Sequence, residues 1–262
     1  MLTFTHTYLL SLAYKKINQR NSPIDKGELI LGNVVPDFVT HLGREQFQAR
    51  AHSLAYLDNL SEFGSLEWGA IFHILCDNYS TLGRIVFDGD YHEIPKTGFI
   101  EQLSRQVQIN FPLNIPKRRI LQCAFDIFVI RDKKELLIKM LSSAESYLNN
   151  NFEDVIQRVA KIYNLNKENL RIGLNRYAKI YGQQFIKQAA LEAYRLFPLA
   201  RSLLKLHSLT DPRVILEGVK NHPELMELVQ KNMFLIENNW QDLLDETVQQ
   251  VFEYPGVRDA LH

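Results

Sequence analysis

Hydrophobic residues recur along most of the chain at the three- and four-residue spacing of an amphipathic α-helix. One face of a first helix is outlined by Leu9, Leu10, Leu12 and Ala13. Residues 66–83 are apolar on nearly all sides, which is typical of a helix at the centre of a bundle. Further helices are predicted for residues 97–110, 114–131, 134–149, 152–163, 167–207 and from Pro223 to Phe252. Strand-like alternation is absent, so the pattern predicts an all-α protein.

Helix-breaking residues separate these segments and predict the turns. A break is expected in the stretch from Gly32 to Pro36, and residues 84–96 form the longest predicted surface loop. The only candidate linker is the asparagine run 149–151. A chain of 262 residues can bury one large core. We therefore predict a single helical domain over residues 1–262, with the candidate chemistry in 1–130 and a helical C-terminal half in 131–262.

Composition and charge narrow the possible functions. Lys and Arg together number 30, and so do Asp and Glu, so no basic excess favours stable nucleic-acid binding. Cys76 and Cys123 both lie in apolar runs and are predicted to be free, buried thiols. The N-terminal segment lacks a basic start and a small-residue cleavage site, and no apolar run is long enough to cross a membrane. These features predict a cytoplasmic protein without membrane insertion.

His73 and Asp77 are the first candidates for chemistry. They are four residues apart in the apolar segment 66–83, so a helix places both side chains on one face. A buried carboxylate is costly unless something neutralises it. The two residues form either a self-neutralising hydrogen-bonded pair or part of a site for a divalent cation, because imidazole and carboxylate both bind zinc.

Asp37 and three other histidines are less specific when each is taken alone. Asp37 follows Pro36 and is either the N-cap of a helix that starts at Phe38 or a metal ligand. His6 stands at the start of the first helix, and His52 lies in a helix-like stretch; each is an ordinary polar position by itself. His41 is expected to face solvent.

In their order along the chain, these residues resemble the zinc-dependent phospholipase C and P1 nuclease family. Thr5-His6 matches its opening Thr-His pair, and the segment from Gly32 to Asp37 matches Gly-Asn/Ala-x-x-Pro-Asp. His52 follows about fifteen residues later, and His73 with Asp77 matches His-x-x-x-Asp on an apolar helix. The similarity extends over roughly residues 3–130. The family also includes the catalytic part of glycosylphosphatidylinositol-specific phospholipase D.

The resemblance implies a phospholipase C/P1 nuclease-like helical bundle that binds zinc. It implies one ion on Asp37, His52, His73 and Asp77, with Asp37 also the candidate general base, and a second ion on His6 with Asp77 bridging. The matched third-site positions are Thr81, Gln122 and Asp126, which lack both of the family's histidines, so one to two ions are expected. The polar loop residues Asp88, Asp90, His92 and Glu93 are a possible replacement, but a solvated loop is the expectation.

The implied function is metal-dependent hydrolysis of a phosphoric ester, from a small molecule or a lipid, with reduced activity. The alternative is a non-catalytic relative in which one metal ion stabilises the helical core. A third possibility is a helical interaction protein that binds a partner through residues 134–252.

Overall fold

The computed structural model describes residues 3–17, 24–40, 52–53, 64–83, 117–181 and 223–257. The regular elements in these ranges are all helical, and no strand occurs in them, which confirms the all-α prediction for this part of the chain. In chain order the helices are α1 Thr3–Ile17, α2 Lys26–Thr40, α3 Ser65–Asn78, α4 Lys117–Asn150, α5 Phe152–Tyr163, α6 Lys167–Tyr181, α7 Pro223–Ile236 and α8 Trp240–Glu253. The predicted helix 97–110 and the predicted loop 84–96 lie outside the described residues, as does His41.

Several helix boundaries follow the sequence pattern closely. The two helices predicted for 114–131 and 134–149 are joined in α4 across a kink at Lys133, where φ is −128° and ψ is 20°. The predicted helix 152–163 coincides with α5. Asn151 alone connects α4 to α5, and its amide donates to the Tyr147 carbonyl at 3.0 Å. The asparagine run is therefore a hydrogen-bonded helix junction rather than an extended linker.

The predictions were wrong at two places. The segment from Gly32 to Pro36 is not a break, because α2 continues through both residues to Thr40. Proline has a helical φ and removes one amide donor, a loss that tertiary packing can offset. Asp37 therefore lies inside a helix and is not the N-cap of one. The predicted helix from Pro223 to Phe252 is instead two helices, separated at residues 237–239, where two asparagines favour non-helical backbone.

One hydrophobic cluster joins the buried faces of these helices. Helix α2 packs on α3 and on α4, α1 packs on α4, and α8 packs on α1 and α3. The Trp240 ring of α8 stacks on Phe128 of α4 with ring centroids 5.8 Å apart. Cys76 and Cys123 are both buried thiols outside any disulfide, as predicted. Within the part of the chain that the structure describes, no helix has the length and apolar character to cross a membrane.

Two glycines allow α2 and α3 to come into backbone contact. A Cβ added at Gly32 would lie 1.9 Å from the Leu66 carbonyl oxygen. A Cβ added at Gly69 would lie 2.1 Å from the Leu29 carbonyl oxygen and 2.5 Å from the Asn33 amide nitrogen. Real side chains are not found at such distances, so the crossing requires glycine on both helices. Helix α3 thus lies unusually close to residues 29–33 of α2.

Candidate metal centre

The glycine crossing brings the two helices that carry the candidate ligands together. His73 and Asp77 follow Gly69 on α3 by one and two turns, and both side chains are almost fully buried. Asp37 lies near the C-terminal end of α2 and retains 18% exposure of its side chain. His6, in the first turns of α1, stacks on His73 with ring centroids 3.6 Å apart. His52 enters from a separate turn.

His52 and His73 face each other and both carboxylates. Their Nε2 atoms are 3.2 Å apart. His73 Nε2 lies 3.8 Å from Asp37 Oδ1 and 3.5 Å from Asp77 Oδ2. His52 Nε2 lies 3.9 Å and 3.7 Å from the same two oxygens. Tetrahedral ligands at the usual zinc distances are about 3.3 Å from one another. The distance between the two imidazoles matches this value, and the four distances from imidazole to carboxylate are slightly wider.

Asp77 faces two sets of imidazoles with its two oxygens. Oδ2 is directed towards His52 and His73, whereas Oδ1 lies 3.1 Å from Nε2 of His6. Three of these residues, His6, His73 and Asp77, form one group with metal-ligand spacing. Asp37, His52 and His73 form another. The five residues singled out from the sequence are therefore brought together, in two adjoining groups that share His73.

The hydrogen bond at the other ring nitrogen of His73 determines its tautomer. His73 Nδ1 lies 2.7 Å from the carbonyl oxygen of Asn33. A carbonyl only accepts, so Nδ1 carries a proton, and Nε2 is the ring nitrogen that faces His52. Backbone carbonyls fix metal-binding histidines in the same way. Two ring nitrogens at 3.2 Å need a proton or a cation between them.

The buried charges of the centre favour a cation. Burial alone would raise the pKa values of Asp37 and Asp77. The facing imidazoles hold the pKa of Asp37 below the usual range for aspartate. The positive charge of the N-terminal amino group, together with His6 and His73, does the same for Asp77. Burial, together with the adjacent His73, lowers the pKa of His6 to about 4. At neutral pH the centre thus combines two ionised carboxylates with an uncharged His6. Neither ring nitrogen of His6 has a hydrogen bond within the described residues, although Nε2 lies close to Asp77.

These observations show that the buried His and Asp groups could hold a metal ion. The donor set of imidazole nitrogens and carboxylate oxygens suits zinc, and it also suits other divalent ions. A cation would neutralise the carboxylates and bind the lone pairs of the imidazole nitrogens.

Sequence reasoning missed the residues that hold the ligands in place. Asn78 follows Asp77 directly, and its side-chain amide donates to the backbone carbonyl of His52 at 2.6 Å. The same amide donates to the carbonyl of Ile74 at 2.8 Å. It therefore ties the turn that bears His52 to the end of α3. The sequence around Asn78 does not indicate this contact, because its partner His52 lies 26 residues earlier in the chain.

The three residues matched to the family's third zinc site have other contacts. The Thr81 amide donates to Gln250 Oε1 at 2.7 Å, and Gln250 Nε2 donates to the Thr81 hydroxyl at 3.0 Å. Oδ1 of Asp126 accepts both the amide and the hydroxyl of Thr5, at 2.9 and 2.5 Å. Burial raises the pKa of Asp126 to about 7. Gln122 is buried on α4, one turn before Asp126. The loop residues Asp88, Asp90, His92 and Glu93 lie outside the described residues.

Asp126 therefore anchors the first turn of α1 beside His6. Its contact with Thr5 joins α4 to α1 across 121 residues of sequence. Asp126 thus supports the segment that carries His6.

Comparison with family models, with curated proteins and with solved structures found no match for this chain.

Proposed function

We propose that this chain is a metal-dependent hydrolase of phosphoric esters, similar to the zinc-dependent phospholipases C that its motifs resemble. The observation that carries the proposal is the position of Asp77, whose two oxygens face different imidazoles. A carboxylate in this position can bridge two neighbouring ions. Two-ion sites are common among enzymes that cleave phosphoric esters.

Zinc is the proposed metal, and the five candidate ligands divide into two positions. One ion would be held by Asp37, His52, His73 and Asp77, and a second by His6 with the other oxygen of Asp77. When bound, such ions polarise a phosphoryl oxygen and activate water for attack. We expect one to two ions, because Thr81, Gln122 and Asp126 provide no imidazole for a third.

The protein's own residues orient these groups and limit access to them. His6, His73 and Asp77 are sealed within the helices, whereas Asp37 remains partly exposed. A substrate would therefore approach from the side of Asp37. The lowered pKa of this carboxyl keeps it ionised, which suits a metal ligand and makes it a weak proton acceptor. Its role as general base stays a prediction that the dependence of rate on pH tests.

The proposed substrates are phosphomonoesters and phosphodiesters of small molecules, or soluble groups derived from lipids. The balance of 30 basic and 30 acidic residues supplies no general attraction to an anionic membrane surface or to nucleic acid. We expect weak hydrolysis of such substrates, abolished by a chelator, and little action on intact vesicles.

The test combines metal analysis with activity. Purified protein is analysed for metal, loaded with zinc or manganese, and assayed on bis(p-nitrophenyl) phosphate with and without chelator. Asp77→Asn should lose both metal and activity. The matched control is Asp245→Asn, which changes an exposed aspartate on α8. Equal, chelator-resistant turnover by wild type and by Asp77→Asn would refute the proposal.

A structural metal is the second candidate, and the depth of the centre favours it. His6 and His73 are completely buried and Asp77 is 1% exposed, as expected of a structural metal site whose ligands come from different helices. In that case the protein binds a single ion whose removal lowers the melting temperature, and the loaded protein hydrolyses no phosphoric ester. Metal stoichiometry and activity, measured on the same preparation, separate the two functions.

A further inference from the structure

Asn33 on α2 has a buried polar side chain without a hydrogen bond to any described residue. The residue is completely buried, and neither Oδ1 nor Nδ2 has a hydrogen bond within the part of the chain that the structure describes. Leaving a buried amide unsatisfied costs stability, whereas an apolar residue of the same shape would avoid this cost. The flanking positions on α2, such as Ile30 and Val34, are apolar and buried. The packing of α2 therefore gives no reason for an amide at residue 33.

The amide lies beside the metal centre. Asn33 precedes Asp37 by one turn of α2, so the two side chains project from the same face of the helix. The backbone carbonyl of Asn33 accepts the hydrogen bond from Nδ1 of His73, the imidazole that both ligand groups share. The unused side chain thus belongs to a residue that touches the centre through its backbone.

We infer that the carboxamide of Asn33 binds the oxyanion held at the metal centre, with Nδ2 donating a hydrogen bond to a phosphoryl oxygen. The inference rests on the proposed function and adds to it a residue that binds substrate. The two carboxylates of the centre offer an oxyanion no hydrogen-bond donor, and Nδ1 of His73 already donates to the Asn33 carbonyl. A neutral amide offers an N–H donor without competing for the metal.

The test uses Asn33→Leu, which replaces the amide with an apolar side chain of similar shape. Inorganic phosphate is titrated into the zinc-loaded full-length protein by isothermal titration calorimetry. We expect the affinity for phosphate to fall about 10- to 100-fold, because one hydrogen bond to a charged group is lost. The zinc content should be unchanged. The melting temperature of the metal-free protein should rise by about 2–4 °C, since an unsatisfied buried amide is removed.

Two further variants serve as controls. Ile30→Leu changes the packing of the same helix without altering polarity and should bind phosphate like wild type. Asn33→Ala removes the amide without filling its place and should weaken phosphate binding even if Asn33→Leu folds poorly. Unchanged phosphate affinity in both Asn33 variants would overturn the inference. So would loss of zinc from both variants, since that result gives the amide a metal-binding role. If Asn33→Leu melts below the wild type, the phosphate affinity of Asn33→Ala decides the question.

Failure of the proposed function would look different. Hydrolysis of bis(p-nitrophenyl) phosphate by the wild type is measured in parallel. If the wild type hydrolyses this ester and Asn33→Leu binds phosphate equally well, only the role of Asn33 is wrong. If the zinc-loaded wild type neither binds phosphate nor hydrolyses the ester, both proposals are refuted.

Discussion

Replacing Gly69 with alanine should damage the metal centre from a distance. In an ordinary helix this substitution stabilises by about 0.5–1 kcal/mol, because alanine loses less backbone entropy on folding. At Gly69 the added Cβ would lie 2.1 Å from the Leu29 carbonyl oxygen, whereas ordinary van der Waals contacts begin at 3.4 Å. The backbones of α2 and α3 must therefore separate by more than about 1 Å to relieve the contact.

The separation has two consequences that can be estimated. The hydrogen bond from His73 Nδ1 to the Asn33 carbonyl, now 2.7 Å, would be stretched beyond hydrogen-bonding distance. Overpacking costs about 1–3 kcal/mol and a lost buried hydrogen bond about 1–3 kcal/mol, so we expect a net destabilisation of about 2–5 kcal/mol. Metal–ligand distances tolerate changes of only about 0.2 Å, and the loss of an outer hydrogen bond lowers metal affinity by about 10- to 100-fold.

The assay compares Gly69→Ala with Gly256→Ala in thermal unfolding and zinc titration. Gly256 is exposed, and its added Cβ would lie 3.4 Å from the Tyr254 ring, an acceptable contact. This control should be neutral or slightly stabilising, with wild-type zinc affinity. Gly69→Ala should melt about 5–15 °C lower than wild type and bind zinc more weakly. Wild-type melting and zinc affinity in Gly69→Ala would refute the view that the glycine crossing positions His73.

Three further predictions concern other groups of the described structure. His73→Ala should lower both the zinc content and the melting temperature, because a ligand is lost and metal binding stabilises the folded state by mass action; full zinc occupancy with unchanged melting would show that His73 is not a ligand. Arg158→Ala should cost about 2–4 kcal/mol in urea unfolding at pH 7, since it leaves the largely buried carboxylates of Glu28 and Glu67 without their partner. An unchanged free energy of unfolding in Arg158→Ala would contradict this account. The pKa of Asp126 is about 7 in the folded protein and near 3.8 when unfolded, so its contribution to the stability of the metal-free protein is complete below pH 3.8 and is lost as the pH rises to 7. Asp126→Asn should therefore remove a decline of up to about 4 kcal/mol between pH 4 and 7, and parallel stability profiles for variant and wild type would contradict the raised pKa.

Local sequence determined most of the helices and the types of residue at the centre. Apolar spacing identified α1, α3, α5 and both halves of α4, because the positions of a helix that face the core are apolar and recur every three to four residues. The spacing of His73 and Asp77 placed them on one face before any tertiary contact was known, because a helix repeats every 3.6 residues. His6, Asp37 and His52 were identified as candidates from their order along the chain, which resembles a family pattern, and not from an expected geometry.

Other features depended on contacts between segments that are far apart in the chain. Pro36 and Gly32 read as breakers, yet α2 passes through both because packing on α3 and α4 outweighs local preference. The break between α7 and α8 was missed because a continuous apolar pattern does not reveal a change in helix direction.

The centre itself was decided by tertiary structure. His6 and Asp77 are 71 positions apart, and only the packing of α1 against α3 brings them to 3.1 Å. The carboxyl of Asp126 accepts two hydrogen bonds from Thr5, a contact between α4 and α1 that no local pattern indicates. No local pattern indicates that Gly69 meets Leu29, or that the Asn33 carbonyl orients His73. Sequence periodicity indicates which face of each helix is buried. How closely two helices cross depends on the side chains of both helices. Here α2 and α3 come into backbone contact because two glycines have no side chain.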